Sequence, residues 1–229
     1  MDLHPSTSGQ LLPGDVGLPT PPGDRIGCLS SDEYWSGRLT QSVGEPDLLL
    51  LQWLEQVAPT QVSHLREQMA ENPSRITKAY RDLLSGESRG SQAAILKVTE
   101  MIESGSYQGI VTANSVDYMS FCSHHFLPFH GQVDVIYQPG DRILGIGKLS
   151  RLVDFRTRCF TIQETIAQTL VDDLMTYGSA LGAMARVSAR HSCLCYRGPT
   201  KYGSSNVSVF SAGSCRDGGF ATEIAAALG

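Results

Sequence analysis

The chain holds no apolar run near the ~18–20 residues of a membrane span. Its first residues, Met1-Asp-Leu-His-Pro-Ser6, carry neither the basic start nor the apolar stretch of a secretory signal. An excess of positive charge is also missing: 18 Lys and Arg stand against 23 Asp and Glu, for a net charge of -5. That balance argues against a nucleic-acid partner, because any anionic ligand must be held by a local cluster rather than by a global field. Cysteines are few for the length, at 28, 122, 159, 193, 195 and 215 of 229 residues, which is not the density of a small disulfide scaffold. The expectation is a cytoplasmic protein with reduced thiols and no membrane association.

What the chain does have is distributed unevenly. Residues 1–44 are rich in Pro, Gly and Ser, as in Leu12-Pro-Gly-Asp15 and Leu18-Pro-Thr-Pro-Pro-Gly23, and show no sustained period. Such a segment buries too little to offset its ordering entropy and reads as a disordered extension; Tyr34 and Trp35 are its candidate docking anchors. Residues 45–108 read as a helical region. Leu49, Leu50, Trp53, Leu54 and Val57 form a helical stripe. Asn72 and Pro73 supply an N-cap and a first-turn proline for a helix running to Leu84, and Ser91 to Ile102 fits a further helix.

From about 109 the period changes, and residues 109–229 read as the main domain. Val133, Val135 and Tyr137 alternate with Asp134, and Pro139-Gly-Asp141 suggests a turn into Ile143-Leu-Gly-Ile146, together a hairpin. Lys148 to Arg158 and Gln163 to Tyr177 read as helices, the second with a stripe of Ile166, Leu170 and Leu174. From Gly182 to Arg197 the alternation places Ala183, Ala185, Val187, Ala189, His191, Cys193, Cys195 and Arg197 on one face of a strand. Asn206 to Phe210 suggests a last strand. The order strand-strand-helix-helix-strand-strand behind a helical region indicates α+β with an antiparallel sheet.

Two clusters carry the chemistry. Cys122-Ser-His-His125 and His191-Ser-Cys193 bring together five soft or borderline donors of the kind zinc prefers. Three such ligands around a metal leave one position for water, and the remaining histidines are free for proton transfer. His191 and Cys193, two apart on a strand, would face one cavity with Cys122 and with either His124 or His125; spacing does not choose between these two. Cys195 is a less suitable fourth ligand, since same-face neighbours on a strand lie ~6.5–7 Å apart. Lys148, Arg151, Arg156 and Arg158 form a basic cluster opposed only by Asp154. Guanidinium forks suit phosphate oxygens. Lys148, Arg151 and Arg197 are placed beside the metal elements, whereas Arg156 and Arg158 read as a solvated helical face. Gln163-Glu164 at a helix start is either ordinary dipole placement or an acceptor for paired N–H groups. His130 and Cys159 read as structural.

From about Asn72 to Ala212 these motifs together resemble the GTP cyclohydrolase I family. Its Cys-Glu-His-His, Pro-Phe-x-Gly, Gly-Leu-Ser-Lys-x-x-Arg, Val-Gln-Glu-Arg and His-x-Cys…Arg-Gly segments correspond to Cys122-Ser-His-His125, Pro128-Phe-His-Gly131, Gly145-Ile-Gly-Lys-Leu-Ser-Arg151, Ile162-Gln-Glu-Thr165 and His191-Ser-Cys-Leu-Cys-Tyr-Arg-Gly198. Asn72-Pro-Ser-Arg75 is similar to its Thr-Pro-x-Arg. The resemblance implies a tunnelling fold and a homodecamer of two pentamers, with sites at subunit junctions. It implies zinc on Cys122, His125 and Cys193, and proton transfer by His124 and His191. It further implies guanine reading by Gln163 and Glu164, and a triphosphate held by Lys148, Arg151 and Arg197, with Arg75 from a neighbour. The implied reaction is hydrolysis of GTP at C8 to formate and 7,8-dihydroneopterin triphosphate, serving folate-type pterin or deazapurine biosynthesis. Four departures mark a divergent member: Ser123 for Glu, Gly147 for Ser, Thr165 for Arg, and Cys159 at a position that is commonly Arg. They admit action on another purine nucleotide or arrest at a ring-opened intermediate; a zinc-stabilised binding protein without turnover is the alternative of another class.

Overall fold

The computed structural model describes residues 46–228 apart from 72–73, 87, 89, 98–101, 104 and 106. The expected N-terminal extension and the Asn72-Pro73 cap lie outside the described residues. The elements are α1 (Pro46–Val57), α2 (Val62–Glu71), α3 (Arg75–Leu83), α4 (Gln92–Leu96), β1 (Ile102–Glu103), β2 (Val111–Cys122), β3 (Pro128–Pro139), β4 (Arg142–Ile143), α5 (Ile146–Thr157), β5 (Phe160–Thr161), α6 (Gln163–Tyr177), β6 (Ala180–His191), α7 (Ser192–Cys195), β7 (Asn206–Gly213) and α8 (Ala221–Leu228). The main sheet runs β5-β2-β3-β6-β7. It is antiparallel except where β5 lies parallel to β2. This is the expected α+β arrangement, an antiparallel sheet with two packed helices.

The core forms where the predicted stripes meet. Leu149, Leu152 and Val153 of α5 and Ile166, Leu170 and Leu174 of α6 pack with Val133, Val135, Tyr137, Ala183, Ala185 and Val187 of the sheet, all fully buried. Each such aliphatic side chain contributes about 1.5–3 kcal/mol relative to exposure. The opposite face is covered locally by α8, where Ile224 meets Ile136 and Cys215. That second cover explains why β3 does not alternate: Val133 to Tyr137 is buried without a break. Gly131 stands opposite Ala189 across β3 and β6, and a Cβ there would lie 1.9 Å from the Ser188 carbonyl oxygen.

Four expectations are corrected. Pro139-Gly140-Asp141 is a turn, but β4 pairs with β1 and not with β3; the Gly140 N–H donates to the Ser179 carbonyl, tying the turn to β6 instead. The helix expected from Ser91 to Ile102 is the short α4, capped by the Ser91 hydroxyl on the Ala94 N–H. Lys97 leaves helical geometry, and Ile102 is paired in a strand opposite Ile143. The strand through Arg197 stops at His191, where its pairing with β3 ends opposite Phe129; the next β3 residue is Pro128, which has no N–H to donate, and the chain makes the single turn α7. Finally, Arg156 is not solvated. Its guanidinium donates two hydrogen bonds of 2.6 Å to the buried Asp173 carboxylate.

The α1 stripe has the expected helical period, yet Leu49, Trp53 and Val57 are exposed on the single chain. Among the described residues no helix is long and apolar enough to cross a membrane.

Candidate active site

The site is built at one end of the sheet. β2 ends at Cys122 and β6 ends at His191, and both flank the start of β3, with Phe121 opposite Pro128 and Phe129 opposite His191. α6 begins beside them at Gln163, directly after β5. The turn joining β2 to β3 is tight: Cys122 N–H donates to the Leu127 carbonyl, and Phe126 N–H donates back to the Cys122 carbonyl. Phe126 adopts φ 55°, a costly conformation for an aromatic residue. Its ring packs on Phe160 at 4.8 Å. The turn carries His124 and His125 exposed at the rim.

Cys122, His191 and Cys193 present ligand atoms that all lie within 4.8 Å of one another. With Zn–S near ~2.3 Å and Zn–N near ~2.0–2.1 Å, tetrahedral donors sit ~3.4–3.8 Å apart, so a small contraction accommodates the ion. The donor chemistry agrees: burial and the neighbouring Cys122 push the Cys193 thiol up, and a bound cation relieves that conflict. Cys195 is buried and outside this group.

A cavity of about 250 Å³ opens on the cluster, lined by Cys122, His124, His125, Gln163, Glu164, His191 and Cys193 together with Ile162, Leu194 and Asn206. His124 Nδ1 is 3.7 Å from Cys122 Sγ, and its ring meets that of His125 edge-on at 6.4 Å. His125 shares the cavity without joining the close donor group. Glu164 is exposed in the first turn of α6. Gln163 is buried, its amide bonded to Val187, Asn206 and His191. Burial holds His191 below the ordinary imidazole value, against the opposing pull of Glu164.

The expected phosphate residues are not brought to this cavity within one chain. Lys148 is buried, and its ammonium donates to the Lys97 carbonyl at 3.1 Å. Arg75, Arg151 and Arg197 are exposed and do not line the cavity. The four departures lie off its lining as well. A side chain at Gly147 would meet open space, Ser123 is exposed, and the Cys159 thiol donates to the Arg156 carbonyl. The half-buried Thr165 accepts the Thr169 hydroxyl on its carbonyl.

Sequence reasoning gave no separate role to Phe129, whose ring stacks on His191 at 4.5 Å and 5°, or to Asn206, which lines the cavity. The signal for Phe129 was its inward place on a central strand; Asn206 left none beyond opening the last strand.

The chain is similar over 148 residues to GTP cyclohydrolase 1 of Streptococcus sanguinis, at 34% identity, covering 65% of this chain and 78% of that one. It is 34% identical over 144 residues to GTP cyclohydrolase 1 of Allorhizobium ampelinum, covering 63% and 71%. For GTP cyclohydrolase 1 of Clostridium kluyveri the figures are 32% over 148 residues, 65% and 78%. Among solved structures, the archaeosine synthase QueF-Like in the apo form aligns with a TM-score of 0.38 and 17% identity, over 47% of this chain and 97% of that one. The sequence model of GTP cyclohydrolase I matches residues 53–227, and with the Cys and His motifs gathered around one cavity, the chain belongs to the GTP cyclohydrolase I family.

Proposed function

We propose that this protein is a zinc-dependent GTP cyclohydrolase I that hydrolyses GTP at C8, releases formate and forms 7,8-dihydroneopterin triphosphate. The observation that carries the reading is the convergence of two thiols and the imidazole of His191 on a cavity that also holds His124 and Glu164. Cys122, Cys193 and His125 would hold the metal. Zinc bound there would supply Lewis acidity and lower the pKa of its water toward ~7.

The chain's own residues account for the rest. His124 keeps Nδ1 toward the Cys122 sulfur, which leaves Nε2 to give a proton to N7 as the imidazole ring opens. His191 moves protons in the later steps, when the ribose opens, rearranges and closes into the pterin. Glu164 accepts the paired N–H groups of the guanine edge. Lys148, Arg151, Arg197 and Arg75 hold the triphosphate. Because they do not line the single-chain cavity, this grip requires neighbouring copies, as in a homodecamer with sites at subunit junctions. The exposed stripe Leu49, Trp53, Val57 and the edge strand β7, with Val207 and Val209 exposed, support self-association. Free thiols at 122, 159, 193, 195 and 215 suit the reducing cytoplasm.

One observation favours a second assignment of the metal shell: His191, not His125, is the histidine within 4.8 Å of both thiols. Zinc content decides it. The first assignment expects loss of zinc in His125→Ala and retention in His191→Ala; the second expects the reverse. The function itself is tested by incubating zinc-loaded protein with GTP and assaying formate and, after oxidation, a fluorescent pterin. Both products are expected. Formate alone points to arrest at a ring-opened intermediate. Neither product, with metal bound, contradicts the reading and turns the search to other purine nucleotides or a non-catalytic role.

A further inference from the structure

Gln163 and Glu164 are adjacent at the start of α6, yet they stand in opposite surroundings. Glu164 is exposed at the cavity, whereas Gln163 is 3% exposed. Both hydrogens of the Gln163 amide have acceptors: Nε2 donates to the Val187 carbonyl at 2.8 Å and to the Asn206 carbonyl at 3.0 Å. These two bonds fix which way the amide points, because the flipped amide would set its oxygen against two carbonyl oxygens. Oε1 is therefore an acceptor, 3.0 Å from Nε2 of His191. A neutral imidazole carries one proton, so a partner that only accepts draws that proton to Nε2 and leaves Nδ1 as the lone-pair nitrogen.

A second contact acts in a different direction. The Phe129 ring, itself fully buried, lies parallel to the His191 ring at 4.5 Å. The stack sets the plane of the imidazole, and the amide bond sets its rotation within that plane. Phe129 and His191 are register partners across β3 and β6. Val187 and Asn206 belong to the neighbouring strands β6 and β7, so the sheet itself holds the amide that holds the histidine.

We propose that Gln163 is a positioning residue that fixes His191 as its Nε2–H tautomer and does not read the guanine edge. The inference rests on the cyclohydrolase reading for its catalytic consequence but not for its structural core. With both hydrogens committed and its side chain buried, Gln163 offers a nucleobase only the second lone pair of an enclosed oxygen. It serves whether His191 moves protons or binds metal, since an outer partner that fixes a tautomer is needed in either role.

The test uses the full chain and the variants Gln163→Met and Gln163→Glu. Long-range 1H–15N spectra of 15N-histidine-labelled protein report the tautomer of each neutral histidine, and His191→Ala identifies the signals of His191. The wild type is expected to show Nε2–H for His191, and Gln163→Met a mixture of tautomers. In turnover, Gln163→Met is expected to lower kcat by ~10–100-fold with KM for GTP within about twofold and unchanged preference for GTP over ITP. Gln163→Glu keeps an acceptor for Nε2–H but loses both donors to the Val187 and Asn206 carbonyls, so it is expected to retain the Nε2–H tautomer while its kcat stays below wild type. A wild-type Nδ1–H tautomer overturns the proposal. So does a Gln163→Met variant that raises KM at unchanged kcat and loses the preference for GTP, the pattern of a guanine reader. Should wild-type protein fail to turn over GTP, the cyclohydrolase reading falls, while the tautomer spectra still decide the Gln163–His191 pairing. Because the wild-type spectrum is decisive alone, the test survives a variant that does not fold.

Discussion

Cys122 meets His191 and Cys193 at one point although most of the sheet lies between it and that pair in sequence. Lys148, Arg156 and Arg158, close neighbours in sequence, are engaged at three different places: Lys148 with the Lys97 carbonyl, Arg156 with Asp173 and Arg158 with Asp154. The contrast teaches that clustering along the chain is a poor guide to a site, whereas clustering imposed by strand register is a good one. The soft donors meet because β2 and β6 both end beside the start of β3. Lys148 and Arg156 lie on α5 and Arg158 caps its end, and the helix turns them toward different parts of the fold. Under the proposed function one chain would build the reactive centre, and the grip on phosphate would come from cations that other copies complete.

The largest effect is expected at the reactive centre. Cys193→Ser removes a donor that lies within reach of both Cys122 and His191, and turnover should fall at least ~1,000-fold, equivalent to about 4 kcal/mol in the barrier. Bound zinc and formate release should be lost together, with the far-UV circular dichroism unchanged. A protein that loses its fold along with its zinc would instead favour a structural metal.

The next largest should appear in stability. Arg156→Met leaves the Asp173 carboxylate buried without its partner, a loss of about 3–5 kcal/mol, read from denaturant unfolding. Activity per folded molecule should be retained, which separates Arg156 from the phosphate residues. Gly131→Ala forces a methyl group against the Ser188 carbonyl and should destabilise by about 1–3 kcal/mol, measured the same way. The smallest effect in free energy is the most informative about the cations. Arg151→Ala and Arg197→Ala should each raise KM for GTP about tenfold, or ~1.4 kcal/mol, with stability within about 0.5 kcal/mol of the wild type. An unchanged KM would mean that the exposed arginines are ordinary surface charge.

The sheet and its two packed helices were legible because their patterns are strong. The alternation of Ala183 to Ala189 and the stripe Ile166, Leu170, Leu174 match their buried faces. What sequence could not give was partnership. The alternation ran on through Cys193, Cys195 and Arg197, but a strand lasts only as long as its pairing, and that of β6 with β3 ends at Phe129, next to Pro128. The Pro139-Gly140-Asp141 turn was readable, while its tie to Ser179 depended on the register of β3 with β6. Arg156 looked solvated because its partner lies on another helix, with nothing local to announce it. At the site, residue types pointed to one cavity, which Cys122, His124, His125, His191 and Cys193 all line. The commitment of Gln163 to two backbone carbonyls and the stack of Phe129 on His191 depend on strand order, which no motif spells out.

The most direct test of the account is formate release from GTP measured against zinc bound per chain, titrating metal-free protein with zinc. The account predicts that formate release rises in proportion to zinc and levels off at one zinc per chain. Formate release without zinc, or full zinc loading at this centre without formate, would contradict it.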